Sequence, residues 1–427
     1  MIFNKTGRLL KNHKFVYKNS TLECVREYKY LGFIVTPSGE VRTGLEDLRR
    51  RALRALAKMK NTLGALFRHD INNTIHIYNY LVKPILTYCS DYWGCIQPKN
   101  NPVEKVHLMF CKYLLGVRKQ INTEGVLQEL GMAPLALCAI KSVTKNWERV
   151  QQKKANQLLI SSNMDAHRNN LPWVVNIRKI FSTNGMLQEY LHKLNETEET
   201  RYGPMAEKLY QRMRDQFNQI SFDVIKTSSK MKMLNLLKTA AGRETYLTKV
   251  TKSKHRVAMT KLRLSGHRLE IETGRYRHNK TNKTDAEERY CKYCEFTGQK
   301  VVEDEIHFLI RCPMLNTIRV NTLPSQIVQD IQLSDKEKFS FLMTDNAANN
   351  LKKTAKYIYQ AFDEREIKLD VLHTLNELVS STENLLKKTG PGEGDKNKNV
   401  KKSHLNTPTY TVKNISQNGL KLTLHRV

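Results

Sequence analysis

The 427-residue sequence is short of acid: 41 Asp and Glu stand against 71 Lys and Arg, a formal charge of +30. That imbalance excludes an acidic, partner-free surface and points to a polyanionic partner, RNA or DNA before a membrane face. Long apolar runs are also missing. Nothing approaches the ~18 consecutive apolar residues of a membrane-spanning helix; the longest stretch, Gly131 to Ile140, has Pro134 inside it. The opening residues, MIFNKTGRLLKNHK, lack the charged-then-apolar order and small-residue cleavage site of a signal peptide. The expectation is an intracellular protein, nuclear or cytoplasmic, neither secreted nor membrane-bound. Gly-x-Ser-x-Gly, His-Glu-x-x-His and Walker-type signatures are absent as well, and with them the hydrolase, metalloprotease and P-loop readings. What is present is an apolar fraction of 40%, enough to bury cores in roughly two to four domains of ~100 to 200 residues.

Eight cysteines are far too few for a disulfide scaffold of this length. Five of them, Cys24, Cys89, Cys95, Cys111 and Cys138, lie scattered among Leu, Tyr and Trp and read as small buried hydrophobes. The other three form a cluster with a histidine, Cys291-x2-Cys294-x12-His307-x4-Cys312. Two intervening residues allow a tight turn that aims both thiolates at one ion. His307 and Cys312 can share that ion if the chain between them is helical and then unwinds, and Pro313 supplies the stop. A Cys3His set is soft and closed, which favours one structural Zn²⁺ per chain and leaves no position for a catalytic water. His267 and His278 lack the spacing to replace His307.

The first 36 residues alternate apolar and polar around turn signals at Lys18-Asn19-Ser20 and Pro37-Ser38-Gly39, which predicts a small antiparallel sheet of two or three strands. From Leu45 the period changes. Leu45, Leu48, Ala52, Leu56, Met59 and Leu63 recur at helical spacing, with Arg49, Arg50, Arg54 and Lys58 on the other face. That face is a candidate nucleic-acid contact; a merely solvated face is the alternative. Further helices are expected over 72–89, 101–116, 122–130, 135–161, 204–217, 228–240, 334–344 and 350–387. Between Lys249 and Arg289 the chain is strongly basic, and Arg263, His267, Arg268, Arg275, Arg277 and Lys280 are interleaved with Tyr276 and His278, a composition suited to phosphate contact and base stacking. After Lys388 the composition collapses to Gly, Asn, Lys, Ser and Thr, as in a flexible basic tail.

Four stretches in this order carry a family likeness. MIFNKTGR with YKYLGFIVTPSG, then LVKPILTYCSDYWG with LLGV and ELGMAPL, then LRLSGHRLEIETGRY running into the Cys-x2-Cys, VEDE and His-x4-Cys-Pro segment, and last SFLMTDNAANN with AKYIYQAFDERE, together resemble the C-terminal portion of a reverse transcriptase from a non-LTR (LINE-type) retrotransposon. The resemblance spans roughly residues 1 to 366. It implies the end of a polymerase palm, a thumb and a zinc-binding C-terminal segment, with Tyr30, Leu31 and Gly32 in the hairpin that touches the primer strand in such enzymes. Polymerases of this class hold two metal ions on Asp residues, a pair of them in a Tyr-x-Asp-Asp loop, and no Asp-Asp dipeptide occurs in this sequence. The chain is thus expected to be a truncated product that binds nucleic acid without polymerising, alone or beside an intact reverse transcriptase of the same element.

The expected architecture is mainly α: a β-hairpin remnant over 1–39, a thumb-like helical bundle over 40–160, a helical connector over 161–245, a basic arm with the zinc site over 246–320, closing helices over 321–387 and the tail over 388–427. The competing expectation is a zinc-stabilised structural or interaction module, or a transposon remnant with no retained activity.

Overall fold

The structure, a computed structural model, describes residues 14–98, 100–151, 156–195, 204–276, 284–345 and 347–388, with Met1, Phe3 and Gly7. Arg277, His278, Lys280 and the tail beyond Lys388 lie outside the described residues. The described residues up to Val371 form one compact unit, and a second begins at Leu372. The fold is mainly helical.

The N-terminal sheet is two separate hairpins. Strand β1 (Phe15–Tyr17) pairs antiparallel with β2 (Ser20–Leu22), and β3 (Tyr28–Tyr30) with β4 (Phe33–Val35). Each tip takes two residues at positive φ, Lys18 and Asn19 in the first and Leu31 and Gly32 in the second, the geometry that matches strand twist in a two-residue hairpin. Only β4 reaches the core. Helix α1 (Arg42–Leu63) follows, and Leu45, Leu48, Ala52, Leu56 and Met59 are buried along it as their spacing requires. Gly44 lets β4 lie directly on α1, because a Cβ there would meet the Phe33 ring at 2.3 Å and the Ile34 carbonyl at 2.8 Å.

Helix α2 (Ile71–Leu81) stops before Pro84, and two short turns, Lys83–Leu86 and Ser90–Trp93, replace the single helix expected to residue 89. Proline at the second position of a turn tolerates its missing N–H, whereas in mid-helix it breaks the ladder. Then come α3 (Pro102–Leu115), α4 (Thr123–Leu130) and α5 (Leu135–Val150). Glu104 accepts the backbone N–H groups of Leu135 and Ala136 at 3.1 and 2.9 Å, capping α5 after Pro134. The helix expected over 135–161 ends at Val150, and α6 (Gln157–Arg168) begins again with Asn156 as its cap.

Helices α7 (Pro172–Thr183), α8 (Leu187–Asn195) and α9 (Met205–Thr227) build a second apolar cluster around Trp147. Its ring stacks on Tyr190 at 5.0 Å and packs against Phe181. The main core runs from Phe33 to Ala361 and includes α10 (Ser253–Arg263), α11 (Asp335–Thr344), the start of α12 (Ala348–Lys388) and the three clustered cysteines. Among the described residues no single helix is long and apolar enough to cross a membrane.

Candidate metal centre and basic groove

Cys291, Cys294, His307 and Cys312 converge in the core, and their ligand atoms all lie within 4.8 Å of one another. Cys291 starts the site by a short backbone pairing: its N–H donates to the Val301 carbonyl at 2.7 Å, and Tyr290 bridges Val302. It then caps a short helix, Lys292–Phe296, whose first turn brings Cys294 round beside it. The chain reverses through Gly298, at φ +85°, where the Gln299 N–H donates to the Cys294 carbonyl at 2.8 Å.

The second pair depends on an unusual turn. Five residues of α-helix would place Cys312 about 140° around the axis from His307. Instead His307–Arg311 forms a π-turn, closed by the Cys312 N–H on the His307 carbonyl at 2.7 Å. A π-turn returns residue i+5 to the side of residue i, so imidazole and thiol face one point, and Pro313 turns the chain away. The carbonyls loosened by this turn are collected from outside: Arg319 donates to Leu309 and Cys312 at 3.0 and 2.8 Å, and Tyr357 to Leu309 at 3.2 Å. The acidic VEDE stretch is equally structural. Glu303 holds Arg365 through two 2.6 Å hydrogen bonds, Asp304 accepts the His307 N–H at 2.6 Å, and Glu305 accepts from Ser265 and His267 at 3.1 and 2.9 Å.

The donor set suits a tetrahedral soft cation. Thiolates at ~2.3 Å from Zn²⁺ stand about 3.8 Å apart, and the imidazole Nε2 already lies 3.5 Å from the Cys294 sulfur. A hydrogen bond from Cys312 draws the Cys291 thiol well below its ordinary value. Burial, then the charge on Cys291, push Cys294 up, and Cys312, the donor of that bond, is raised as well. A bound divalent ion supplies the charge that lets the other two protons leave. The cluster can hold one metal ion.

The residues singled out as nucleic-acid contacts divide into two groups. On α1, Arg54 and Lys58 are exposed, while Arg49 and Arg50 pair with Glu46 and Asp47 one turn away and remain accessible. Arg268 is exposed beside Glu366 at 3.7 Å. Arg263, His267 and Arg275 are corrections. Arg263 is fully buried, gripping Glu129 through Nε and Nη2 and reaching Glu244 at 2.6 Å. His267 is buried against Glu305, and Arg275 pairs with Glu272 at 2.7 Å. These side chains are engaged in internal pairs, although His267 also lines the basic groove; composition counted their charge but not their burial.

At the hairpin tip, Tyr30 and Leu31 project into solvent. The turn is pinned from below: Tyr88 donates to the Leu31 carbonyl, and Arg51 to the Gly32 carbonyl at 2.9 Å.

Arg68, Arg118, Lys254, Lys261 and Arg268, of which the sequence singled out only the last, line a groove of about 980 Å³ between α3, α10 and α12. Gly116 ends α3 at φ +71°, where a Cβ would meet Val257 at 2.7 Å, so the two helices approach closely enough to form its floor. Aromatic rings hold the cations at its edges. The Arg68 guanidinium lies 4.4 Å from the Tyr113 ring centre and donates to the Tyr113 carbonyl at 2.9 Å; Lys60 lies 3.4 Å from the same ring. Across the groove Lys254 lies 4.6 Å from the Tyr359 ring. Arg118, Lys261 and Arg268 complete the basic wall, against Asp363 and Glu366. Cation–π contacts fix the Lys60, Arg68 and Lys254 head groups, and a cation seated on a ring face can still donate N–H bonds to a phosphate. No local sequence signal joins Arg68 to Tyr113 or Tyr359.

Compared with protein-family models, curated proteins and solved structures, the chain matches none.

Proposed function

We propose that the chain is the C-terminal region of a LINE-type reverse transcriptase, retaining nucleic-acid binding without polymerisation, and that its metal is one structural Zn²⁺ held by Cys291, Cys294, His307 and Cys312. The groove between α3, α10 and α12 carries the reading. Its Lys and Arg side chains, three of them seated on the Tyr113 and Tyr359 rings at its edges, offer donors to a polyanion. Contacts of that kind position a strand and do not select sequence. The family likeness supports the same reading, and the sequence contains no Asp-Asp dipeptide. The test is binding of single-stranded RNA and DNA by the whole chain across a salt series. Affinity is expected to fall steeply with salt, and primer extension to stay negative. Salt-insensitive or absent binding defeats the proposal.

A structural or interaction module is the second reading. Arg263, His267 and Arg275 favour it, since these side chains are engaged in internal pairs instead of being offered to a strand. On that reading chelation unfolds the cysteine cluster and no nucleic-acid binding is found to lose.

A further inference from the structure

Behind the groove lies a smaller cavity of about 200 Å³ whose lining has no acidic residue. Lys252, Lys352, Lys353, Lys356, His255 and Thr251 surround it. The four lysines are exposed, and none has a carboxylate partner among the described residues. Four like charges thus converge on one cavity. Lys252 caps the start of α10, where it supplies no side-chain acceptor for the first-turn N–H groups. A cation there opposes the positive end of the helix dipole, whereas an anion is stabilised by it.

The second observation is His255. It is 8% exposed, lines the cavity, and has no hydrogen-bond partner among the described residues; its one neighbouring ring there is Tyr359 at 5.3 Å. Burial, then Lys252, Lys254 and Lys356, hold its imidazole below the usual range. A buried imidazole facing four uncompensated ammonium groups is a site waiting for negative charge.

We infer that this cavity binds a phosphomonoester or diphosphate group, seated on Lys252, Lys352, Lys353 and Lys356 and the amide end of α10, with His255 as an inner hydrogen-bonding group. Two sources carry that chemistry. One is the terminal phosphate of a strand lying in the groove, since Tyr359 separates His255 from Lys254 at the groove wall; this source rests on the nucleic-acid reading above. The other is a small soluble diphosphate.

The experiment uses the full chain. Thermal unfolding is followed with pyrophosphate, with sulfate at equal ionic strength as control, and binding is measured for one oligonucleotide with either a 5′-phosphate or a 5′-hydroxyl. Charge-assisted contacts of this kind are expected to favour the 5′-phosphate by about tenfold or more, and pyrophosphate to raise the unfolding midpoint where sulfate does not. The double variant Lys352→Ala/Lys353→Ala, which removes only exposed side chains, should abolish both effects; His255→Gln should weaken them with the lysines intact. Stabilisation by pyrophosphate with no 5′-end preference assigns the site to a soluble diphosphate. Neither effect, or both surviving in the lysine variant, overturns the inference, while unaltered binding of the 5′-hydroxyl strand would leave the groove reading standing. Loss of all strand binding with the pyrophosphate effect intact would remove the groove reading alone.

Discussion

The backbone N–H of Cys312 donates to the carbonyl of His307 at 2.7 Å, and this one bond puts a histidine and a cysteine five positions apart on the same side of the chain. The turn it closes is supported by Arg319 and Tyr357, which bind the carbonyls it loosens. Metal ligation, π-turn and core packing are therefore a single structure, since Cys291, Cys294 and Cys312 belong to the same apolar cluster as Leu309 and Tyr357.

About one zinc per chain is expected by elemental analysis, and Cys291→Ser/Cys294→Ser should lose it. Finger peptides with no other core gain on the order of 10 kcal/mol or more from their metal. Here the cluster is backed by a large core, so chelation should lower stability by several kcal/mol and release a segment around 284–320 rather than unfold the whole chain. Hydrogen exchange before and after chelation would locate the loss; retention of zinc by the double variant would refute the ligand assignment.

Arg263 and Glu129 are both completely buried, and with Glu244, Lys238 and Tyr246 they form one neutral network joining α4 to α10. Burial alone would lower the Arg263 guanidinium, but the adjacent carboxylates raise it above its ordinary value. Replacing Arg263 by Ala leaves the fully buried Glu129 carboxylate without its cation, while Glu244 keeps Lys238, and should cost about 3 to 5 kcal/mol in urea unfolding. Lysine should recover little, because one ammonium cannot reproduce the two-nitrogen grip. A Lys variant with full stability and weakened phosphate binding would contradict this placement.

The groove cations behave differently. Lys254→Ala, Lys261→Ala and Arg268→Ala remove exposed or half-buried side chains, so stability should hardly change. Each cation that neutralises a phosphate should, when removed, reduce the slope of log affinity against log salt by roughly 0.7 to 0.9. Tyr113→Leu tests the mounting of the cations. It removes the ring beneath Lys60 and Arg68 without removing charge, and should weaken binding several-fold. Unchanged slopes in all three charge variants would move the interface off the groove.

Much of this was legible in the sequence wherever the signal was local. The α1 stripe from Leu45 to Met59 follows directly from its 3.6-residue period, and Cys291-x2-Cys294-x12-His307-x4-Cys312 announces a closed donor set by spacing alone. What the sequence hid is long-range. Arg263 looks identical to Arg268 in a basic run, yet one faces Glu129, 134 residues away, and the other faces solvent. The groove unites Arg68 and Tyr113 with Lys254 and Tyr359 from four separate segments, so no window contains it. The breaks after Leu81 and Val150 escaped for a related reason: apolar periodicity continues through them while Pro84 and the Asn156 cap restart the backbone.

His107 supplies a pH test of the helical core. Its Nε2 lies 3.1 Å from the Ala133 carbonyl, which can only accept, so Nε2 carries the proton and Nδ1 accepts from the Tyr78 hydroxyl at 2.8 Å. Full burial, with Lys83 adding repulsion, brings the imidazole down to about 4. The native state thus prefers neutral histidine, while the unfolded chain takes up a proton near the ordinary value of about 6.5. Above that value both states are neutral and the full stability is present. As pH falls from about 6.5 towards 4 the unfolded state gains protons first, and stability drops by about 3 kcal/mol before levelling off. Urea midpoints measured between pH 7.5 and pH 4.5 should show this decline in the wild type, and His107→Gln, which keeps a donor and an acceptor without titrating, should flatten it. An equally steep decline in the glutamine variant would assign the pH dependence to the acidic residues instead.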